Sequence, residues 1–305
     1  MYIIAEIGSN FNSVEDCLLQ VELAKKAGAD AVKFQHFTLR EMYGHGDGEV
    51  TPESWLIDLH RYSKQIGIDF SCTFFSPEKL LKHLGLLDFI KIASSNMMDK
   101  RLLDIAKASG KKTLISTGGH ELHEVQRVFD YFADASFMYC ESAYPSHVNN
   151  YKKMKDFYFD GISDHSLEVY PEYPHCRYVE KHVNFLDLND KPDAGHALGF
   201  FQFTRFCKHV RGDDKYHPLL SVEEVDMRTK YNVRLVAKKD IGTGCKLTWD
   251  NVGVYRGTRD AQNYITALDA DKVIGKVAKK HIKAWDSIGY SDFQTAQSEA
   301  EQVHT

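Results

Sequence analysis

Two short runs, Gly161-Ile162-Ser163-Asp164-His165 and Tyr178-Val179-Glu180-Lys181-His182, each end in a histidine close to a carboxylate. Similar strand-like runs recur along the chain, and most of them end in polar or ionisable residues instead of a turn. In a barrel of parallel strands, the C-terminal ends of the strands converge on one mouth, where their side chains share a site. The pattern therefore predicts a parallel barrel that carries an active site.

Strand-like runs alternate with segments of helical spacing over the first two thirds of the chain. The clearest helical segment runs from Val14 to Ala27, and Gly28 follows it as a predicted C-cap. Alternation of this kind predicts parallel βα units, and eight of them within about 210 residues predict a compact (β/α)₈ barrel over residues 1–212. A doubly wound open sheet is the alternative, but no Gly-x-Gly-x-x-Gly turn follows the first strand. The runs lie at roughly 2–7, 30–35, 67–73, 88–93, 112–116, 136–141, 158–163 and 177–183.

The chain changes character after the predicted barrel. Residues 213–231 are polar and charged and are predicted to form a linker. From residue 232 to 293, short alternating runs are separated by glycines, Gly242 and Gly253 among them, which predicts a small β-rich domain. The polar tail, 294–305, is predicted to fray. The alternating runs are Val233-Arg234-Leu235-Val236-Ala237, Lys246-Leu247-Thr248 and Lys276-Val277-Ala278.

Composition narrows the class of protein. The 305 residues are 43% hydrophobic and 27% charged, with a net charge of −5, which is ordinary for a globular protein and argues against a nucleic-acid or anionic-membrane partner. The six cysteines are scattered without a Cys-x-x-Cys pair, which suits a reducing compartment better than a disulfide framework. The first residues lack the features of a signal peptide, and no window approaches the ~18 apolar residues of a membrane span. These features predict a cytoplasmic protein.

Two lysines interrupt otherwise apolar strands. Lys33 lies in Ala31-Val32-Lys33-Phe34-Gln35, and Lys91 lies in Phe89-Ile90-Lys91-Ile92-Ala93. A lysine in a buried strand costs free energy unless an anion pairs with it. The alternatives are a structural ion pair inside the barrel and a site for a phosphate or carboxylate, where strand-end hydroxyls would suit a phosphate well. These hydroxyls belong to Thr73, Ser94, Ser142 and Ser163.

His165 and His182 fall at the ends of adjacent predicted strands. Neutral imidazoles bind divalent metals, and Glu6, which ends the first strand, would supply an oxygen ligand. Asp164 and Glu180 would orient the rings. The alternative for each histidine is a packed core position, because the chain has 15 histidines. The positions of the pair favour a Lewis-acidic divalent ion such as Mn²⁺.

Ordered motifs along the chain resemble the bacterial sialic acid synthase family. In the predicted barrel they are Ala5-Glu6-Ile7-Gly8-x-Asn10, Ala27-Gly28-Ala29-Asp30-Ala31-Val32-Lys33-Phe34-Gln35, Phe89-Ile90-Lys91-Ile92-Ala93-Ser94, Ile115-Ser116-Thr117-Gly118-Gly119, Tyr144-Pro145, Ser163-Asp164-His165 and Glu180-Lys181-His182. The C-terminal block resembles the family's antifreeze-protein-like SAF domain through Val233 to Ile241, Asp250-Asn251 and Val254-Tyr255-Arg256-Gly257. So many motifs in one order, over two domains, make a specific signal.

The resemblance implies an activity. Members of this family condense phosphoenolpyruvate with an N-acylated amino sugar, giving a nine-carbon 2-keto acid and free phosphate. The resemblance implies that His165 and His182 ligate Mn²⁺ or Mg²⁺ and that Glu6 acts near the metal in proton transfer or water activation. It assigns catalytic roles to Glu6, Lys33, Lys91 and Asp164, and substrate binding to Thr73, Ser94, Asn96, Ser142, Tyr144, Ser163, Asp193 and Arg256.

Several positions depart from the family pattern. Phe11 stands where the family usually has a histidine, and Asn96 stands where it has an acidic residue. Glu141 replaces a threonine, and the family's Pro-Asp-His stretch reads Pro192-Asp193-Ala194-Gly195-His196. The segment from Phe37 to Tyr62, which normally helps to cover the mouth, is shorter than usual. The phosphoenolpyruvate and metal half is therefore predicted to be intact and the sugar half altered.

The sequence thus predicts a metal-dependent synthase that joins phosphoenolpyruvate to an N-acylated hexosamine and makes a nonulosonic acid. A different phosphoenolpyruvate-using barrel aldolase, or a 3-deoxy-octulosonate-phosphate-type synthase, is the enzymatic alternative, although the latter resembles only the barrel. A non-catalytic member that binds a sugar phosphate is the other alternative. Arg256 matches an arginine that reaches the partner's sugar site in family dimers, so the resemblance implies a homodimer with exchanged small domains.

Overall fold

The computed structural model describes residues 1–147, 158–173, 176–213, 233–256 and 265–293. The chain divides into two compact units, one of residues 1–184 and 188–214 and the other of residues 185–187 and 215–305. The predicted linker lies outside the described residues except for Asp213, and the predicted tail lies wholly outside them. Within the described part of the chain, no helix is long and apolar enough to cross a membrane.

The first unit is built on a curled sheet of parallel strands. Their order across the sheet is β4-β2-β1-β9-β8-β7-β6-β5, and the short strand β3 is added antiparallel to β2. The strands are β1 (Tyr2–Gly8), β2 (Ala31–Thr38), β3 (Glu49–Val50), β4 (Asp69–Phe74), β5 (Ile90–Ile92), β6 (Thr113–Ser116), β7 (Ser136–Cys140), β8 (Gly161–Asp164) and β9 (Tyr178–His182).

The two end strands of this order, β4 and β5, meet at a seam. The Asp88 N–H donates a hydrogen bond of 2.9 Å to the Phe70 carbonyl, and the Ser71 hydroxyl donates one of 2.8 Å to the Phe89 carbonyl. These bonds take the place of a strand ladder and bring the sheet round on itself. The predicted α/β barrel of parallel strands is confirmed, and every predicted strand run of this unit has a strand within or beside it.

Helices return the chain from the C-terminal end of one strand to the start of another. The Ser13 hydroxyl accepts the Asp16 N–H at the start of the first helix, and Gly28 ends it with a φ of 104°, a left-handed conformation that glycine adopts without strain. The predicted C-cap is thereby confirmed. Between β8 and β9, residues 165–173 and 176–177 form no helix, so the predicted alternation fails there; Pro171 interrupts this segment. The helices are α1 (Val14–Ala27), α2 (Leu39–Tyr43), α3 (Leu56–Ile66), α4 (Pro77–His83), α5 (Lys100–Ser109), α6 (Leu122–Tyr131) and α7 (Phe200–Val210).

Apolar side chains fill the barrel at the N-terminal ends of the strands. Ile4, Ala31, Phe89, Leu114 and Met138 form one buried cluster, each from a different strand or strand approach. Burying a side chain of the size of leucine or phenylalanine contributes about 1.5–3 kcal/mol to folding. The apolar plug occupies one end of the barrel, and the polar residues are left for the other end.

The second unit contains an antiparallel pair, β10 (Val233–Ala237) and β11 (Val252–Arg256), beside a core that includes Leu235, Leu247 and Ile288. The predicted strand at 233–237 is confirmed. The predicted runs at 246–248 and 276–278 form no named strand: Lys246 and Val277 make one isolated antiparallel bridge, and Ala278 makes another with Phe293. Gly253 was predicted to mark a turn, which is wrong: it pairs with Val236 inside β11, where a Cβ atom would lie 2.4 Å from the Tyr255 ring.

The spacing of β8 and β9 depends on a glycine. A Cβ atom at Gly161 would lie 2.5 Å from the Tyr178 carbonyl oxygen on β9, so alanine must push the two strands apart. We expect Gly161→Ala to lower the free energy of unfolding by about 1–3 kcal/mol, the usual penalty of overpacking. Urea unfolding followed by circular dichroism measures this loss.

Gly85→Ala is the matched control, because nothing lies within 4 Å of the added atom. Its free energy of unfolding should stay within about 0.5 kcal/mol of that of the unchanged protein. Equal stability of the two variants would contradict the close approach of β8 and β9.

Candidate active site

The two histidine runs fold as adjacent parallel strands whose residues alternate between two faces. Ser163, His165, Glu180 and His182 line a common cavity. The intervening Asp164 and Lys181 face away from it and pair with each other, with the Lys181 Nζ 2.5 Å from Asp164 Oδ2. Two-residue periodicity thus selects which members of the two runs reach the site.

The cavity has a volume of ≈ 490 Å³ and is lined mainly by residues from the C-terminal halves of the strands and the loops that follow them. It brings together nine of the residues predicted from the sequence. These are Lys33, Thr73, Lys91, Ser94, Ser142, Tyr144, Ser163, His165 and His182. The described lining residues also include Ser116, His120 and Glu180.

Two lysines and two glutamates form a buried charge network that reaches the cavity. Lys33 Nζ lies 2.5 Å from Glu6 Oε2 and 3.8 Å from Glu180 Oε2, and Lys91 Nζ lies 3.3 Å from Glu180 Oε1. All four residues are at most 3% exposed. Strand register explains the contacts, since Glu6 pairs across β1 and β2 with Lys33. Glu180 therefore bridges the two lysines that were predicted to share an anion site.

Hydroxyl groups complete the surroundings of the lysines. Lys33 Nζ donates to Thr73 Oγ1 at 3.2 Å, and Lys91 Nζ donates to Ser116 Oγ at 2.7 Å. Ser163 Oγ donates to Glu180 Oε1 at 3.0 Å. Each ammonium group thus has a carboxylate and a hydroxyl as neighbours, in a cavity that solvent or a small molecule can enter.

Burial and ion pairing shift the pKa values of these carboxylates in opposite directions. Burial raises the pKa of Glu6 to about 7, although Lys33 pulls it down and Glu180 adds to the rise. Burial also acts to raise the pKa of Glu180, but Lys33 and Lys91 outweigh it and lower that pKa below its ordinary value. Burial disfavours the Lys33 cation, and Glu180 and Glu6 nevertheless raise the pKa of Lys33. The pKa of Glu6 is thus close to neutral pH.

Asp164 has structural partners. Besides Lys181, its carboxylate accepts hydrogen bonds from the Tyr173 hydroxyl and, at 2.7 Å, from the Ser166 N–H. The Nδ1 atom of His165 lies 2.8 Å from the Glu141 carbonyl oxygen. The bonds described for Asp164 and Glu180 go to other groups, so orientation of the imidazole rings by these two carboxylates stays a prediction.

A third histidine joins the two that were predicted. The ring centroids of His182 and His196 lie 4.4 Å apart, and the His165 ring is 5.4 Å from His182 and 6.0 Å from His196. The Tyr144 ring stacks on His165 at 4.5 Å. Burial lowers the pKa of His165 and lowers that of His182 well below its usual value. Near neutral pH the imidazoles are neutral, the form that ligates metals.

The remaining predicted residues lie in different places. Asp193 is outside the cavity lining and accepts two hydrogen bonds from Ser9 at Oδ2. Asn96 is also outside the lining and accepts a hydrogen bond of 2.9 Å from Ser95 Oγ. Arg256 is exposed at the end of β11, in the second unit.

Sequence reasoning missed Ser116 and the bridging role of Glu180, and it treated His196 only as a departure from the family pattern. Ser116 ends β6 as Thr73 nearly ends β4, so the strand-end hydroxyl pattern includes it. The position of His196 carries no such signal, since it lies in the short turn 194–196 after the last barrel strand.

The residues at this end of the barrel fit a divalent metal. One ligand atom each from His182, Asp193 and His196 lie within 4.8 Å of one another. His182 Nδ1 and His196 Nε2 are buried, and neither has a hydrogen-bond partner among the described residues. Buried polar atoms are rarely left unpaired, so this donor set is suited to a cation.

Comparison with known proteins agrees with this architecture. Pseudaminic acid synthase of Campylobacter jejuni is 27% identical to this chain over 96% of it and 97% of that protein. N,N'-diacetyllegionaminic acid synthase of the same species is 28% identical over 92% of this chain and 96% of that protein. The crystal structure of N-acetylneuraminic acid synthetase from Leptospira borgpetersenii superposes with a TM-score of 0.61 at 20% identity, covering 75% of this chain and 92% of that one.

Two family assignments cover the two parts of the chain. Residues 234–294 match the SAF domain, as the C-terminal motifs predicted. Residues 47–216, more than half of the chain, match the NeuB family. The protein therefore belongs to the NeuB family of nonulosonic acid synthases and carries a SAF domain after its barrel.

Proposed function

We propose that this protein condenses phosphoenolpyruvate with an N-acylated hexosamine and releases a nonulosonic acid and phosphate. The single observation that carries the proposal is the pair of buried lysines, Lys33 and Lys91, on either side of Glu180 in one cavity. Two ammonium groups with hydroxyl neighbours are suited to a phosphate or carboxylate. The named synthases among the relatives support the same reaction class.

The residues divide the reaction between them. Lys33 and Lys91 would hold the phosphate of phosphoenolpyruvate, and Thr73, Ser94 and Ser142 would donate hydrogen bonds to it. Ser163 would join them by turning its hydroxyl from Glu180 to the phosphate. Carbon 3 of phosphoenolpyruvate would attack the aldehyde carbon of the open-chain sugar, and a water would add at carbon 2. The tetrahedral intermediate would then lose phosphate by cleavage of its C–O bond. Glu6, whose pKa is raised to about 7, would accept or return the proton of that water.

The cofactor we propose is a divalent metal, Mn²⁺ or Mg²⁺, held at the histidines that include His165 and His182. A divalent ion there would polarise the sugar aldehyde. Tyr144, which stacks on His165, would limit water access on that side. We expect Asp164 to act only as a positioning residue, because its ion pair with Lys181 joins β8 to β9, the two strands that carry His165 and His182.

Phosphate release from phosphoenolpyruvate, measured with Mn²⁺ over a panel of N-acetylated and di-N-acetylated hexoses, tests the proposal. We expect release that depends on one class of sugar. Tight phosphoenolpyruvate binding without release for any sugar would contradict catalysis and favour a binding protein. Release of phosphate with a non-acylated aldose alone would favour a different barrel aldolase.

Lys91→Met tests the phosphate assignment, because it removes the charge and keeps most of the side-chain volume. We expect turnover to fall about 100-fold or more, the usual loss when a donor to a developing charge is removed. Lys112→Met is the matched control, since Lys112 bonds to Ser136 and does not line the cavity. A Lys91→Met enzyme with full turnover would contradict the role of this lysine.

The raised pKa of Glu6 predicts a pH dependence of phosphoenolpyruvate binding. Protonated Glu6 no longer neutralises Lys33, so the affinity should be highest below pH about 7, the pKa of Glu6, and should fall above it, by at most about tenfold per pH unit for one proton. Glu6→Gln should remove this fall, because it cannot ionise. Calorimetric titration of both proteins between pH 6 and 8 separates the effect from ionisation of the ligand, and parallel curves would contradict it.

We also propose that the working unit is a homodimer in which Arg256 of one chain completes the sugar site of the other. Lys91→Met and Arg256→Ala homodimers should both be inactive. Co-expressed, the two chains form mixed dimers with one intact site, so about a quarter of the activity should return. No recovery in mixed dimers would contradict action across chains.

A further inference from the structure

One edge of the site holds more metal-binding groups than the two histidines predicted from sequence. His182, Asp193 and His196 approach within 4.8 Å through one ligand atom each, and both imidazoles are only 5% exposed. His182 ends β9. Asp193 and His196 lie at the start and the end of the short turn that follows β9 in the chain. The barrel, and not a local motif, brings them together.

The Asp193 carboxylate is held in one orientation. The Ser9 N–H and hydroxyl donate to its Oδ2 atom at 2.7 Å and 2.8 Å, which leaves Oδ1 3.8 Å from His196 Nε2. Gly8 allows this approach, because a Cβ atom there would lie 2.3 Å from Asp193 Oδ2. One oxygen is thus engaged by the protein, and the other faces the imidazole.

The two imidazoles present nitrogen atoms that the protein leaves unpaired. Neither His182 Nδ1 nor His196 Nε2 has a hydrogen-bond partner within the described ranges, although both atoms are buried. Burying an unpaired polar atom destabilises the folded protein unless a ligand or another group binds it. Lys33 and Lys91 bind carboxylates elsewhere in the cavity, so neither serves as a partner for these nitrogens.

A second cluster of histidine and carboxylate side chains differs from this one in its lysine contacts. His36, Glu49 and Glu53 also bring ligand atoms within 4.8 Å of one another. There, Lys79 Nζ lies 2.6 Å from His36 Nε2, and Lys82 Nζ lies 2.5 Å from Glu53 Oε1. Lysines already bind the ligand atoms of that cluster, whereas within the described ranges no lysine pairs with His182 Nδ1 or His196 Nε2.

We propose that His196 and Asp193 join His182 as protein ligands of the divalent metal, and that His196 makes the centre richer in nitrogen than the sequence suggests. The inference deepens the proposed function, because the metal is the one that would act in this cavity. Imidazole ligands favour Co²⁺, Fe²⁺ or Zn²⁺ over Mg²⁺, which prefers oxygen. The chain should therefore select a transition metal over Mg²⁺.

Titration of the metal-free, full-length protein with Co²⁺ alone tests this assignment. We expect one Co²⁺ per chain, held in the presence of equimolar Mg²⁺. His196→Gln and Asp193→Asn should each weaken Co²⁺ affinity at least about 10-fold, since even loss of an outer-shell partner costs 10- to 100-fold. His120→Ala is the matched control, because His120 lines the same cavity but lies 2.9 Å from the Ser94 carbonyl, and its Co²⁺ affinity should not change.

Counting the imidazoles bound to the metal distinguishes loss of one ligand from misfolding of a variant. Pulsed electron paramagnetic resonance of the Mn²⁺-loaded protein should detect one imidazole fewer in His196→Gln than in the unchanged protein and His120→Ala. An unchanged imidazole count, or unchanged Co²⁺ affinity in His196→Gln, would overturn the proposal. Neither readout uses phosphoenolpyruvate or a sugar, so an absence of phosphate release would refute the proposed reaction and leave the metal assignment standing.

Discussion

The buried network of Lys33, Glu6, Glu180 and Lys91 constrains the rest of the barrel. Moving an unpaired charge of this kind out of water costs several kcal/mol, and a buried pair offsets that penalty only when its geometry is good. Here the positive and negative charges balance, and strand register holds Glu6 opposite Lys33. A shift of one strand by one residue would turn these side chains to the other face and leave charges unpaired. The network therefore restricts the register of the strands that carry it.

The same balance bears on the proposed binding of phosphoenolpyruvate. The lysines are already neutralised by glutamates, so an incoming phosphate must compete with a carboxylate or find it protonated. Glu6 meets this requirement, because burial raises its pKa towards neutrality while Glu180 stays ionised between two lysines. The proposed anion site would thus use the same charges that pair inside the barrel, whose apolar plug lies at the opposite end.

The positions that depart from the family pattern have local physical consequences. Phe11 contacts Phe34 and Trp55 with ring centroids 6.4 Å and 5.9 Å away, so a polar position has become part of an aromatic cluster. Glu141 offers its backbone carbonyl to His165, a contact that any residue there would supply. Among these departures, His196 adds a metal-binding group, since the centroid of its imidazole lies 4.4 Å from that of the His182 ring.

The sequence alone predicted the barrel, the SAF domain and nine of the residues that line the cavity, because polar residues at the ends of apolar strands mark the mouth of a parallel barrel. The two-residue periodicity of a strand also predicts that Asp164 faces away from the cavity, since its neighbours Ser163 and His165 line it. Only the tertiary structure decided that Glu180 bridges both lysines and that His196 and Asp193 meet His182. The Glu180 contacts join strands that are distant in the chain, and the His182 contacts depend on how the loop after β9 returns over the end of the barrel, which no local pattern encodes.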